Sequence, residues 1–352
     1  MLNQQEVTVG AAIREAQIDN LNEDDSAVIL GLNAASPLGI FGTVEGLVGR
    51  FGEHRVIETP ASEAALTGIA LGMATAGMRP ILIHQRFDFS LLGIDQLVNQ
   101  VAKWHFMYGG KLRAPLTIRV IVGRGWGQGP QHSQALHAWL AHVPGLRVVM
   151  SSFPQDSYDA LRLASTNDAP TVFVEHRWMH FVRGTIEKGP AKEPRNSVVR
   201  RSGADVTLVG TSYMVIECIA AAKLLETRGV NAEVIDLMTI SPLDVTEVIN
   251  SIAKTGRLVM ADIGQKSFGI GAEVLSRVVE AGVAFRAAPI RIGLPEMPTP
   301  TAVQLAVNYY PTCTDIANAG LTVCGWHESS RFIEVRDAIE LDSPNEEFLG
   351  PY

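Results

Sequence analysis

Three places along this chain set reactive side chains in unusual surroundings. The first is Glu63, in ETPASEAALTGIALGMA, at the start of a strongly apolar stretch of small residues. A carboxylate in the first turn of a helix is favoured by the helix dipole, and that alone would account for it. The neighbourhood is apolar on both sides, however, and a carboxyl partly withdrawn from water there could donate or accept a proton near neutrality. The second place is the segment 123–134, GRGWGQGPQHSQ, where glycines alternate with other residues and His132 follows. Glycine admits positive φ and close approach of backbone to a ligand. A flexible turn with a capping histidine is the plainer reading. Against it, open α/β sheets bind ligands in loops at the carboxyl ends of their strands. The third is IHQRFDFS, where Phe87 and Phe89 stand two apart. Phe87 reads as core. His176 and His180 are four apart in EHRWMH, the spacing of a helical metal pair. They follow a strand-like run and lack a third ligand, so they are read as non-ligands. The chain has no G-x-x-x-x-G-K-[ST], H-E-x-x-H or G-x-S-x-G, which takes support from phosphate loops, zinc proteases and α/β-hydrolases.

The elements that must position these residues are legible as alternation. Strand-length apolar runs at Ala27–Leu32, Arg55–Glu58, Pro80–His84, Pro115–Val122, Leu146–Ser151 and Thr171–Glu175 are mostly continuous Val/Ile/Leu. Such runs fit strands buried on both faces of a parallel sheet. Helices are expected at Val9–Leu21, Ser62–Ala76 (Ser62 as N-cap), Leu91–Phe106 and Gln155–Ser165. The polar, proline-containing stretch 187–203 reads as a linker. The rhythm then restarts, with strands at Val206–Gly210, Ala232–Leu237, Leu258–Asp262 and Pro289–Ile292. Helices are expected at Val215–Arg228, Val245–Lys254 and Ala272–Ala281. The pattern is α/β, two doubly wound domains. The last residues, from Gly325, are acidic and weakly periodic, and are expected to wrap the surface.

Composition narrows the class. A chain of 352 residues with 47% hydrophobic and 19% charged residues is too apolar for disorder and long enough for two domains. A net charge of −8 without basic runs argues against nucleic acid. Three scattered cysteines argue against a disulfide scaffold and for a reducing, cytoplasmic setting. No apolar run reaches the ~18 residues of a membrane span, and the N-terminus lacks the apolar core of a signal peptide.

Several segments, in order, resemble one family. RVIETPASEAALTGIALGMATAGMRPI, RFDFSLLGIDQLVNQVAK, YGGKLRAPLTIR and QHSQALHAWLAHVPGLRVV carry it in the first half. EVIDLMTISPLDV, KTGRLVMAD, FGIGAEV and PEMPTPTAVQL carry it in the second. They look like the beta subunit of the thiamine diphosphate-dependent decarboxylating component of 2-oxo acid dehydrogenase complexes, of the transketolase-like superfamily. The resemblance implies a pyrimidine-binding domain over 1–190, a linker over 191–203, a transketolase C-terminal domain over 204–322 and an acidic tail over 323–352. It implies that Glu63 is the carboxyl at the aminopyrimidine N1′, that Phe89 packs against the aminopyrimidine, and that Ala61 lines its pocket. His132 is implied to stabilise developing charge near C2 or to transfer protons. A structural potassium ion would rest on the backbone carbonyls of Leu116, Ala164, Asn167 and Ala169. The family binds the diphosphate and Mg²⁺ through a G-D-G…N motif on another domain, and no G-D-G occurs here. The resemblance therefore implies an alpha-type partner and an α2β2 heterotetramer with cofactor at the interface; it leaves open whether a lipoyl acyltransferase core is the acceptor.

Three departures bear on substrate. Where the family has an acidic residue in its cofactor-site network, this chain has Leu32. The loop G-Q-G-P-Q-H is also similar to that of transketolases. Arg86 and Trp126 lie close in sequence to Phe89 and His132, and Arg86 is the candidate for an anionic or polyhydroxylated substrate, Arg124 reading rather as a surface residue. The implied function is a 2-oxo acid dehydrogenase subunit that decarboxylates and passes on an acyl unit. The alternative is the beta-type chain of a split transketolase-like enzyme moving a two-carbon or acyl unit between small carbonyl or sugar substrates.

Overall fold

The computed structural model describes residues 4–37, 39–190, 192, 196–333 and 343. These fall into two compact units, the first containing the residues up to Arg124 and from Gln131 to the polar stretch near 190, the second Gly125–Pro130 and the residues from 196 onward.

The first unit is built on strands β1 (Gln4–Thr8), β2 (Ala27–Gly31), β3 (Val56–Glu58), β4 (Arg79–His84), β5 (Thr117–Val122), β6 (Arg147–Val149), β7 (Thr171–His176) and β8 (Arg183–Glu187). Six of them form a parallel array in the order β6-β7-β5-β4-β2-β3. Every residue of β2, β5 and β7 is buried, so both faces of the sheet are covered, as the continuous apolar runs require. Ile29, Val56, Ile81, Ile83 and Ile121 form one part of this core with Leu21. The helix Val9–Glu23 packs against Pro154–Thr166, and β1 pairs antiparallel with β8.

Inside this apolar setting lies one ionic network. Arg119, wholly buried in β5, makes hydrogen bonds of 2.5 and 2.8 Å to the two carboxylate oxygens of Glu175. It also reaches Gln17 and Thr43, and His180 lies 2.8 Å from Glu175. Burial alone pushes the Glu175 carboxyl up; Arg119 and the His180 hydrogen bond outweigh it and hold it at about 2.

The second unit has β9 (Ser197–Arg201), β10 (Val206–Gly210), β11 (Ala232–Leu237), β12 (Thr239–Ser241), β13 (Leu258–Gln265) and β14 (Ile290–Leu294). Its sheet runs β14-β13-β10-β11-β9, parallel except for β9. Helices Tyr213–Glu226 and Cys313–Val323 pack together beside it.

Four expectations need correction. The stretch read as a linker contains β9, an edge strand: Val198 is buried and Arg200 reaches the fully buried Asp236 at 2.7 Å. SVVRR has no apolar run because only one of its faces is covered. Residues 191 and 193–195 of that stretch lie outside the described residues. The single helix expected at Leu91–Phe106 is three short pieces: a 3-10 turn at Leu91–Gly93, a π-helix at Gln96–Val101 and an α-turn at Trp104–Met107. Ser62 precedes its helix but makes no side-chain cap. Arg124, read as a surface residue, is buried, its guanidinium 3.8 Å from the Trp178 ring centroid. In the acidic tail, Asn318 holds the backbone of Phe332 through hydrogen bonds of 2.8 and 3.1 Å. Apart from 343, the tail beyond 333 lies outside the described residues. Among the described residues no helix is long and apolar enough to cross a membrane.

Candidate active site

Parallel strands deliver their carboxyl ends to one edge of the first sheet, where ligands bind in folds of this kind. Leu32 follows β2, Ala61 and Glu63 follow β3, Arg86 and Phe89 follow β4, and His132 follows β5. Glu63 is the first residue of the helix Glu63–Thr75 and is half-buried. Its start is held against the next segment at Gly93, where an added Cβ would lie 3.1 Å from the Glu63 carbonyl and 2.5 Å from Thr67 Oγ1. Ala61 is exposed in the turn before this helix. The Leu32 carbonyl accepts from Gln85 Nε2 at 2.9 Å, which ties the end of β2 to the end of β4. The Glu58 carboxylate accepts from the N–H groups of Asn33 at 2.6 Å and Ala35 at 2.8 Å, fixing the turn beyond Leu32.

Phe89 and His132 meet. Their ring centroids are 5.4 Å apart at 81°, an edge-to-face pair, and both are half-buried. Beside them Asp88 Oδ1 accepts from the Gln134 backbone N–H at 3.3 Å and its Nε2 at 2.8 Å. Burial pushes the Asp88 carboxyl up, while the Gln134 hydrogen bonds and the charge of His132 pull the other way. Sequence reasoning passed over Asp88 and Gln134. The only signal was an acidic residue between two phenylalanines.

Arg86 is buried, with its guanidinium 4.8 Å from the Phe41 ring centroid. Arg177, past the end of β7 and not singled out from sequence, stands 4.6 Å from the same ring. Burial, then the Arg86 charge, lowers its affinity for its proton to about 10. Trp126 is exposed at φ 53°, in the short segment that belongs to the second unit, where Gly129 faces Thr301.

The carbonyls of Leu116, Asn167 and Ala169 lie at the opposite edge of the sheet, before β5 and β7. Leu116 O accepts from the Thr171 N–H, Ala169 O from Thr171 Oγ1, and Asn167 O from Arg79 Nη1 at 3.1 Å. The same Arg79 nitrogen reaches the carbonyls of Ser165 and Thr166, so a cationic side chain already lies at this cluster. Ala164 is buried within the helix Pro154–Thr166.

The histidines set four apart are occupied otherwise: His176 Nδ1 accepts from the Trp178 N–H, and His180 pairs with Glu175. Among the described residues no group of three His, Cys, Asp or Glu is placed to hold a metal. The edge thus offers a carboxyl at a helix start, an aromatic wall and an imidazole, parts suited to an apolar heterocycle and to proton transfer. They do not fit a divalent ion.

Both halves of the chain match known families. The family model "Transketolase, pyrimidine binding domain" matches residues 5–180, and "Transketolase, C-terminal domain" matches 196–316. The pyruvate dehydrogenase E1 component subunit beta of Dictyostelium discoideum is 36% identical over 90% of this chain and 91% of its own length. That of Rickettsia bellii is 35% identical over 91% and 99%, and the mitochondrial beta-2 subunit of Oryza sativa subsp. japonica is 34% identical over 91% and 86%. A solved split-gene transketolase, described as an inactive beta4 tetramer, shares the fold with a TM-score of 0.74 at 19% identity, covering 90% of this chain and 98% of its own. The chain belongs to the family of beta subunits of the thiamine diphosphate-dependent E1 component of 2-oxo acid dehydrogenases, built from a transketolase pyrimidine-binding domain followed by a transketolase C-terminal domain.

Proposed function

We propose that this chain supplies the aminopyrimidine half of a thiamine diphosphate site and works only beside an alpha-type subunit, as an α2β2 heterotetramer. The observation that carries the reading is the Phe89–His132 edge-to-face pair at the strand-end edge that also presents Glu63. Thiamine diphosphate, when bound, supplies a carbanion that cleaves the bond beside a carbonyl. Glu63, half-buried at the strand-end edge, would hold a proton at the aminopyrimidine N1′. Phe89 walls the ring, Ala61 and Leu32 line the pocket, and His132 moves a proton at the reacting carbonyl. The diphosphate and Mg²⁺ belong to the partner, because this chain has neither G-D-G nor a described metal cluster.

The relatives' names point to pyruvate, or another short 2-oxo acid, as substrate; the acceptor proposed with it is a lipoyl acyltransferase core. Arg86 is the group proposed to meet the substrate's carboxylate, with Trp126 a further contact. A potassium ion at Leu116, Ala164, Asn167 and Ala169 would share the Asn167 carbonyl with Arg79. The three cysteines are unbridged, which fits a cytoplasmic setting.

The test is reconstitution with the alpha-type chain from the same cell. The pair is expected to decarboxylate a 2-oxo acid with a thiamine requirement, each chain alone being inactive. Glu63→Gln is expected to reduce turnover by about 10²-fold or more while the tetramer still assembles. Full activity of Glu63→Gln, or of this chain alone, would overturn the proposal.

A further inference from the structure

We propose that Asp88 is the positioning residue of His132: its carboxylate ties down the segment that carries the imidazole. The inference rests on the role given to His132 above. Two contacts join the turn after β4 to the segment after β5. One is the Phe89–His132 ring pair at 5.4 Å. The other is Asp88 Oδ1, which takes both the backbone N–H and the side-chain amide of Gln134. Asp88 and Phe89 are adjacent, and His132 and Gln134 are two apart. The contacts therefore clamp the imidazole from both sides of one short turn.

Asp88 is 9% exposed, so the two hydrogen bonds it accepts from Gln134 are made largely out of water, where such bonds hold a segment more firmly than at the surface. A carboxylate that fixes the segment carrying an imidazole orients that imidazole for proton transfer.

The experiment uses the reconstituted complex with the Asp88→Asn, Asp88→Ala, Gln134→Ala and His132→Ala beta chains. It reads kcat and KM. Asp88→Ala and Gln134→Ala are each expected to lower kcat about tenfold or more with little change in KM. The double variant should be no worse than the poorer single one, since both break one clamp. Asp88→Asn keeps an oxygen that can accept from Gln134 and is expected to retain more kcat than Asp88→Ala. An unchanged kcat in Asp88→Ala, where His132→Ala abolishes turnover, overturns the positioning role, as does a double variant whose losses simply multiply. Full turnover of His132→Ala would instead sink the catalytic reading of His132 on which the proposal rests.

Discussion

Phe89 touches solvent on one side and His132 on the other, so its two contributions can be separated. The edge-to-face pair is worth about 0.5–1.5 kcal/mol beyond area, a small share of a two-unit fold. A ring that walls a bound heterocycle matters more to binding than to folding. Phe89→Ala is therefore expected to weaken thiamine diphosphate binding by about tenfold or more. The melting temperature of the cofactor-free chain should fall by no more than a few degrees. Titration calorimetry of the reconstituted complex, alongside a thermal melt, checks both halves. A large melting loss with unchanged cofactor affinity would make Phe89 a core residue instead. Glu63 and His132 stand out in the sequence as titratable residues in odd places, and the family resemblance adds Phe89; the structure puts Phe89 against His132 and Glu63 at a helix start. Asp88, Gln134 and Arg177 do not stand out. Their meaning comes from a hydrogen bond or ring contact between segments more than 40 residues apart, which no local spacing encodes.

Strands were the most legible elements, since a run buried on both faces must be apolar throughout, as in AVILG of β2. What failed were elements whose form is set by a neighbour. SVVRR covers one buried carboxylate and reads as polar. LLGIDQLVNQVAKWHF has helical composition, yet Gly93 interrupts it by pressing on the helix that carries Glu63. That contact supports a prediction. In Gly93→Ala the new Cβ would fall 2.5 Å from Thr67 Oγ1 and 3.1 Å from the Glu63 carbonyl. Overpacking of this kind costs about 1–3 kcal/mol, and relief requires the first turn of the Glu63 helix to shift. Gly93→Ala is expected to lower both stability and turnover, measured by denaturant unfolding and steady-state rate. Thr67→Ala in the same chain should restore part of the stability by removing the nearer obstacle. If stability returned fully while turnover did not move at all, Glu63 would not depend on this contact.

At the scale of the molecule, alternation of strand and helix and its restart after the polar stretch made two α/β units readable. The buried ionic network was invisible, because Arg119 and Glu175 sit in strands 56 residues apart and look like interruptions of apolar runs. Burial also sets how the first unit responds to acid. His84 is held neutral down to about 4 by desolvation, and His176 and His180 are lowered for the same first reason. A histidine with a depressed folded value leaves the unfolded chain binding more protons below about 6.5. Stability is therefore full above that value and is lost as pH falls through the folded one. For His84 alone the loss amounts to about 3 kcal/mol at pH 4, from a shift of roughly two and a half units. Glu175 acts in the same direction at lower pH: its stabilisation is present above about 4.5 and is lost on the way down to about 2. Acid should thus weaken the fold in two stages, the first beginning near pH 6.5 where carboxylates alone would leave it flat. Melting temperatures taken from pH 8 to pH 4 check this. His84→Gln is expected to reduce the slope between pH 6.5 and 4, and Glu175→Gln to steepen it, since the Glu175 contact holds His180 up against burial. Glu175→Gln should cost about 3–5 kcal/mol at pH 7 by stranding the Arg119 charge. A wild-type melting temperature that stays constant down to pH 5 would mean that His84, His176 and His180 are protonated in the fold without penalty, contrary to their burial.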